Sequence, residues 1–293
     1  MRITNSMQYD ALSGSTQRLE SRLLDAQKEA STGLKVASPE DDPAGAAALI
    51  RLGTIEDQTS AFKSGIQRVQ SDAELAEGTL ASATDLFTEA KSVAMQGANG
   101  SLSASDRAIL SKQVDGMIQN LLSMANTKGE HGYIFGGTQT QTPAFDGAGV
   151  FQGNDLTRNV AIAQGVSVVA NASGAKAFTA AGGTDAFAAL GDLKAALDAN
   201  DTDAISASVK GLDDAHGQIT AARADAGLLI SRLQTTDAAH TQSLTLLASA
   251  KHDIADADLP TAYSQLSQVQ TTYTQAVAVS KQVLSTLSAW FTA

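Results

Sequence analysis

The hydrophobic positions of this chain fall mostly at helical spacing. From Ala48 a 3-4 pattern runs through Leu52, Ile55, Thr59, Phe62, Ile66, Val69, Ala73, Ala76, Leu80, Ala83, Phe87, Ala90 and Ala94, and only Thr59 interrupts its apolar character. A heptad sustained for that long predicts a coiled-coil-like helix rather than a short surface helix. At about 1.5 Å per residue, a helix over 44–97 would run for roughly 80 Å. Its start is marked by "SPEDDPAG", with Asp42 as N-cap, Pro43 at the first helical position, and Glu40, Asp41 and Asp42 where the helix dipole favours acids. After "QGANGSLSASD", Ser103 and Asp106 resemble a capping box, and Leu110, Val114, Met117, Leu121 and Met124 form the stripe of the next helix.

The pattern then changes. In "HGYIFGGTQTQTPAF", Gly132, Gly136, Gly137 and Pro143 cannot sustain a helix, while Tyr133, Ile134 and Phe135 suit a strand. "RNVAIA" and "VSVVA" are further short β-like runs bounded by turn residues. Tyr133 and Phe135 are expected to anchor a strand on the helices, and Gly136 and Gly137 to allow the turn out to a β-rich insertion. Helical spacing resumes near Thr184 with a short helix carrying Phe187, Leu190, Leu193 and Leu197, and a long helix follows with Ile205, Leu212, Ile219, Ala226, Leu229, Leu233, Leu247 and Ile254, until "DIADADLP" breaks it.

Both ends of the chain are amphipathic. Tyr9, Leu12, Leu19, Leu23, Ala26 and Ala30 share one stripe; Ala262, Leu266, Val269, Tyr273, Ala276, Ser280, Val283, Leu287 and Trp290 share another. The expected fold is therefore mainly α with a small β-rich insertion: an elongated hairpin of long coiled-coil-like helices, with the N- and C-terminal helices paired and the insertion at the far tip.

Charge sharpens this picture. Past Asp258 the only charged side chain is Lys281, and among the first seventeen residues only Arg2 and Asp10 are charged. Helices so poor in charge are badly solvated on their outer faces. Leu12, Leu19, Leu23, Ala262, Leu266, Val269, Tyr273, Ala276, Val283 and Leu287 are thus candidates for an assembly interface between copies or with neighbours. The alternative is a surface helix coated with Gln, Ser and Thr. Aromatic residues are only 4% of the chain, which suits thin helical packing better than a thick core.

The formal net charge of -11 disfavours a nucleic-acid partner. The absence of cysteine removes disulfides and thiolate chemistry. "MRITNSMQYDALSG" lacks the apolar run of a secretory signal, and no window is long and apolar enough for a membrane helix. The chain is expected to be soluble, or to be exported by a route that reads no cleaved signal. His131, His216, His240 and His252 lack zinc-helix spacing, with His240 on the seam as a core or interface residue. Asp253, Asp256 and Asp258 lack the remaining ligands of a calcium loop, "GAGVFQG" precedes no helix start, and there is no GxSxG elbow. No catalytic residue, cofactor or metal is expected, and the chain does not read as an enzyme.

Three stretches resemble the flagellin superfamily. "STGLKVASPEDDPAGAA" is similar to its N-terminal signature, and "ADADLPTAYSQLSQVQTTYTQAVAVSKQVLSTL" to its C-terminal helix. "NGSLSASDRAILSKQVDGMIQNLLSMANTKGEHGYIFGGTQTQTPAF" and the start "MRIT" resemble the junction branch rather than flagellin itself. The chain departs from that branch in writing Thr-Pro-Ala-Phe and in ending "SAWFTA".

The resemblance implies an exported structural subunit at the hook–filament junction of the bacterial flagellum. It would contact copies of itself in a ring, the other junction protein and flagellin, escorted by an export chaperone to the type III apparatus. It implies terminal helices in residues 1–40 and 257–293 forming an inner tube, a helical rod from 41–142 and 184–256, and an outward-facing β-rich domain over 143–183. The alternative within the superfamily is flagellin, the filament subunit. Outside it, the alternative is a coiled-coil binding module.

Overall fold

A computed structural model describes residues 5–291. The elements in chain order are α1 (Asn5–Thr32), α2 (Pro43–Gly97), α3 (Ala104–Ala125), β1 (Lys128–Gly129), β2 (Gly132–Tyr133), β3 (Asn159–Ala163), β4 (Val166–Val169), α4 (Gly174–Phe178), a 3-10 turn (Ala180–Gly182), α5 (Ala186–Asp198), α6 (Thr202–Ala255) and α7 (Leu259–Phe291). They divide into two compact units, residues 1–58 with 243–293, and residues 59–242.

In the first unit α1 packs on α7. Two chain breaks are joined beside this pair. The residues after α1 reach those between α6 and α7: Lys35 N–H donates to Ala255 O at 2.7 Å, and Ala257 N–H donates to Gly33 O at 2.9 Å. Helix α2 starts where the Asp-Pro step predicts, since Asp42 Oδ1 accepts the Ala44 N–H at 3.0 Å. Asp41 does not face this helix start, as its place among the acids suggested. It turns back to the preceding loop, where the Ala37 and Ser38 amides donate at 3.0 and 2.7 Å, and to Lys28 of α1, whose Nζ lies 3.0 Å away.

The second unit is built on the heptad seam of α2. From Thr59 to Ala94 every seam residue except the half-buried Phe62 is buried, whereas Ile55, in the first unit, is 47% exposed. Leu80, Phe87, Leu121, Leu190, Leu193 and Ile205 are fully buried in one cluster contributed by α2, α3, α5 and α6. Lys91–Asp213 at 2.8 Å and Arg223–Glu77 at 2.6 Å tie α2 to α6, and being partly exposed they contribute little stability.

The scarce aromatics are concentrated rather than spread. Of the eight phenylalanines, Phe135, Phe145, Phe151, Phe178 and Phe187 form one contact network with ring centroids 5.2–5.8 Å apart. This is the thick core that composition spoke against. It forms where α4 and the 131–151 segment cover the helices. Neither α4 nor the 3-10 turn was visible as periodicity, since elements of five and three residues are too short to carry it.

Helix α3 begins with the capping box at Ser103 and Asp106. One turn later lies Arg107, only 4% exposed and without a carboxylate partner among the described residues. Its guanidinium donates to the carbonyls of Gly97 at 2.7 Å, Asn99 at 2.8 Å and Leu102 at 3.1 Å, and also to Asn200 Oδ1. One cation thereby satisfies carbonyls at and beyond the end of α2, where the helix dipole is negative. It also holds the α5–α6 corner, where Asn200 adopts φ 54.

Two outcomes follow from these contacts. Arg107→Leu strands these buried acceptors, so it lowers stability to urea by about 3 kcal/mol; a loss within error of zero would rule out the guanidinium as the tie. At Asp41 the Lys28 ammonium, and after it the Ser38 amide, hold the carboxyl at about 2 against an ordinary 3.8. A folded-state value below the unfolded one stabilises the loop above about pH 3.8, and that contribution disappears as pH falls towards 2. The Ser38 amide resonance should titrate with a midpoint near 2 in the native chain and show no such step in Asp41→Asn.

Candidate functional site

The terminal helix pair differs physically from the core of the second unit. Of the candidate interface residues, Ala262 is 2% exposed and fully buried, while Leu12, Leu19, Leu23, Leu266, Val269, Tyr273, Ala276 and Val283 are half-buried. The side chain of Leu287 lies outside the described residues. A groove of about 220 Å³ remains between α1 and α7, lined by Tyr9, Leu12, Thr16, Gln17, Ser280 and Val283. Apolar area is therefore incompletely covered on this pair.

Several hydroxyls of α7 are satisfied within the helix itself. Thr271, Thr272 and Thr274 each donate their hydroxyl to the carbonyl four residues earlier, all at 2.8 Å, and Ser280 does the same to Ala276. A hydroxyl satisfied within its own helix can be covered without losing a hydrogen bond to water. With Lys281 its only charged residue, α7 offers a face that another protein surface can bury at low desolvation cost.

The glycine-aromatic segment is arranged differently from the strand that its residues suggested. Strand β2 holds only Gly132 and Tyr133, paired with β1 in the register Lys128↔Tyr133 and Gly129↔Gly132. Ile134 and Phe135 already lie in the following turn, because Gly136 N–H closes back on Tyr133 O at 3.4 Å. Tyr133 is half-buried beneath Lys128, whose Nζ sits 5.7 Å from the ring centroid. Phe135 is fully buried and meets Phe178 edge-on at 5.2 Å. Gly136 O accepts from Gln139 N at 3.2 Å and Asn154 N at 3.3 Å. Gly137 has φ 69, and a Cβ there would lie 2.0 Å from Asn154 O, so no other residue fits without moving the backbone.

The histidines stay apart. His240 Nε2 lies 2.6 Å from Ile162 O and its ring stacks on Phe62 at 6.0 Å, which gives it a packing role at the foot of the β3–β4 hairpin. His252 is bonded to Asp256 one helical turn away. Among the described residues no three His, Asp or Glu side chains converge to hold a metal ion. The residue that sequence reasoning passed over is Arg107. It stands in register with Leu110, Ser111 and Val114 on the buried stripe of α3, and a cation on an apolar stripe is the signal that could have found it.

With this geometry in hand, the similarities to known proteins are informative. Residues 3–140 match the family described as the bacterial flagellin N-terminal helical region. Flagellar hook-associated protein 3 of Salmonella typhimurium is 26% identical over 261 residues, spanning 81% of this chain and 82% of that protein. The protein of the same name from Escherichia coli is 30% identical over 146 residues, or 50% of this chain and 46% of that one. The fold is similar to that of a flagellar hook-associated protein from Vibrio parahaemolyticus, with TM-score 0.68 and 24% identity, covering 74% of this chain and all of the other. By sequence, then, this chain is similar to flagellar hook-associated proteins 3, and its residues 3–140 are similar to the flagellin N-terminal helical region.

Proposed function

We propose that this chain is a structural subunit of the bacterial flagellum, the adaptor at the hook–filament junction, outside the cell. The observation that carries this reading is the Salmonella match, which extends over about four-fifths of both proteins and so includes more than the helical region shared with flagellin. Flagellin, the filament subunit, is the other reading within the superfamily, and the relatives found by sequence favour the junction protein. The chain works by assembly and is not an enzyme.

In this reading the terminal helices, within 1–40 and 257–293, form the inner tube through Leu12, Leu19, Leu23, Ala262, Leu266, Val269, Tyr273, Ala276, Val283 and Leu287. The half-exposed apolar stripe and the satisfied hydroxyls of α7 support that role. The helical rod of 41–142 and 184–256 lies in the outer layer, and 143–183 faces outward. Asp42 and Pro43 fix the start of the rod helix and Asp41 the loop that leads into it; Tyr133, Phe135, Gly136 and Gly137 fix the turn into the outer domain. Partners are further copies of the chain, the other junction protein and flagellin. A dedicated chaperone delivers the chain to the type III export apparatus.

Deleting the gene should leave hooks intact while flagellin is shed into the medium, and the wild-type gene should restore filaments; filaments that persist in the deletion strain would sink the proposal. Leu266→Asp with Val269→Asp places two charges on the α7 stripe. The variant should fail to restore motility, while residues 59–242 keep their native protease resistance.

A further inference from the structure

The loop between α2 and α3 holds the only Asn-Gly step of the chain, Asn99–Gly100. Asparagine is thermolabile, most of all before glycine, because a residue without Cβ leaves its N–H open to the preceding side-chain amide. In a folded chain that attack needs an activated amide carbon, a free nitrogen and room around it.

The carbon is activated. Asn99 Oδ1 accepts from the Ser101 N–H at 3.0 Å and from the Ser101 hydroxyl at 2.9 Å. The first bond closes an Asx turn, which folds the side chain forward over the Gly100 peptide. Donors converging on one oxygen stabilise the charge that develops as a carbonyl becomes tetrahedral. Asn99 Nδ2, the group that must leave, donates to nothing among the described residues.

The nitrogen is free. Among the described residues the Gly100 N–H makes no hydrogen bond, and a Cβ on Gly100 would meet nothing within 4 Å. The carbonyl of the same peptide, Asn99 O, accepts from Arg107 Nη2 at 2.8 Å and from Leu102 N at 3.1 Å. A peptide nitrogen that loses its proton places much of the charge on that oxygen, so the guanidinium favours the nucleophilic form.

We propose that Asn99 is a self-modifying residue, converted to isoaspartate without an enzyme. Solvent hydroxide takes the Gly100 amide proton, and the nitrogen attacks Asn99 Cγ. The Cγ–Nδ2 bond breaks, and ammonia leaves with a proton from water. Arg107 polarises the main-chain carbonyl of the resulting succinimide, so the hydroxyl of a water molecule adds there. The bond from that carbon to the Gly100 nitrogen breaks, and the nitrogen takes the water's proton. The main chain then runs through Cβ and Cγ of residue 99, and the old carbonyl carbon ends as an ionised carboxylate. It is left where the Arg107 guanidinium already binds its oxygen, so a buried cation without a carboxylate partner among the described residues acquires one.

Native protein held for days at mildly alkaline pH should gain, at Asn99, the mass difference of an amide exchanged for a hydroxyl, and protein isoaspartate methyltransferase should methylate that residue. Gly100→Ala fits the open space, so unfolding should be unchanged while the rate falls about tenfold, because the new Cβ obstructs the attack. Ser101→Ala keeps the N–H and loses the hydroxyl donor, and should slow conversion severalfold. The native chain should yield almost only isoaspartate. Unfolded in guanidinium chloride, where Arg107 is no longer held beside Asn99, it should yield isoaspartate and aspartate together. An Asn99 that stays intact in the native protein, a rate unmoved in Ser101→Ala, or one product ratio for native and unfolded chains would each overturn the proposal.

Discussion

Much of the second unit depends on a single stripe of α2. Half of its buried positions from Thr59 to Ala94 are alanine, with Ile66, Leu80 and Phe87 as the larger members. Alanine lets the neighbouring helices approach closely, and the larger residues set the spacing. Stripe residues from Ala76 onward join the main cluster with α3, α5 and α6, while Ile66 and Val69 sit in a separate, smaller one under the hairpin with Ile162, Val168 and Leu233. One helix face therefore supports two cores of different size, and a cleft beside the hairpin is lined by the alanines at positions 73 and 76.

The same pattern has another meaning at the N-terminal end of α2. Ala48 and Leu52 are only half-buried and Ile55 is exposed, although they continue the heptad without a break. Together with the partly covered stripes of α1 and α7, they leave the first unit with apolar surface that its own chain does not enclose. Along the α2 seam, burial thus ends near Thr59 while the apolar pattern does not. In the proposed assembly, neighbouring subunits cover what remains.

The long elements were legible because their causes are local. The Asp42-Pro43 step, the Ser103-Asp106 box and the Asp-rich break before Leu259 each act through bonds spanning a few residues, and helix bounds follow them. What was not legible depends on partners distant in sequence. Asp41 looks like a helix-start acid until Lys28 is placed beside it. Phe135 reads as a strand residue, yet the turn at Gly136 ends β2 after Tyr133. Arg107 looks like a surface cation on a charged helix until α2 ends next to it, and its partner Asn200 lies across two helices of sequence.

The hydrogen bonds joining Gly33 and Lys35 to Ala255 and Ala257 bear on the order of folding. Every contact that builds the second unit lies within residues 59–242, so that unit can close as soon as this stretch is available. The first unit needs both ends of the chain, and its bonds close the largest loop in the molecule. A chain emerging end-first, from a ribosome or a narrow channel, cannot complete the α1–α7 pair until its last helix is free. In the proposed assembly, the surfaces that join subunits are thus the last to mature.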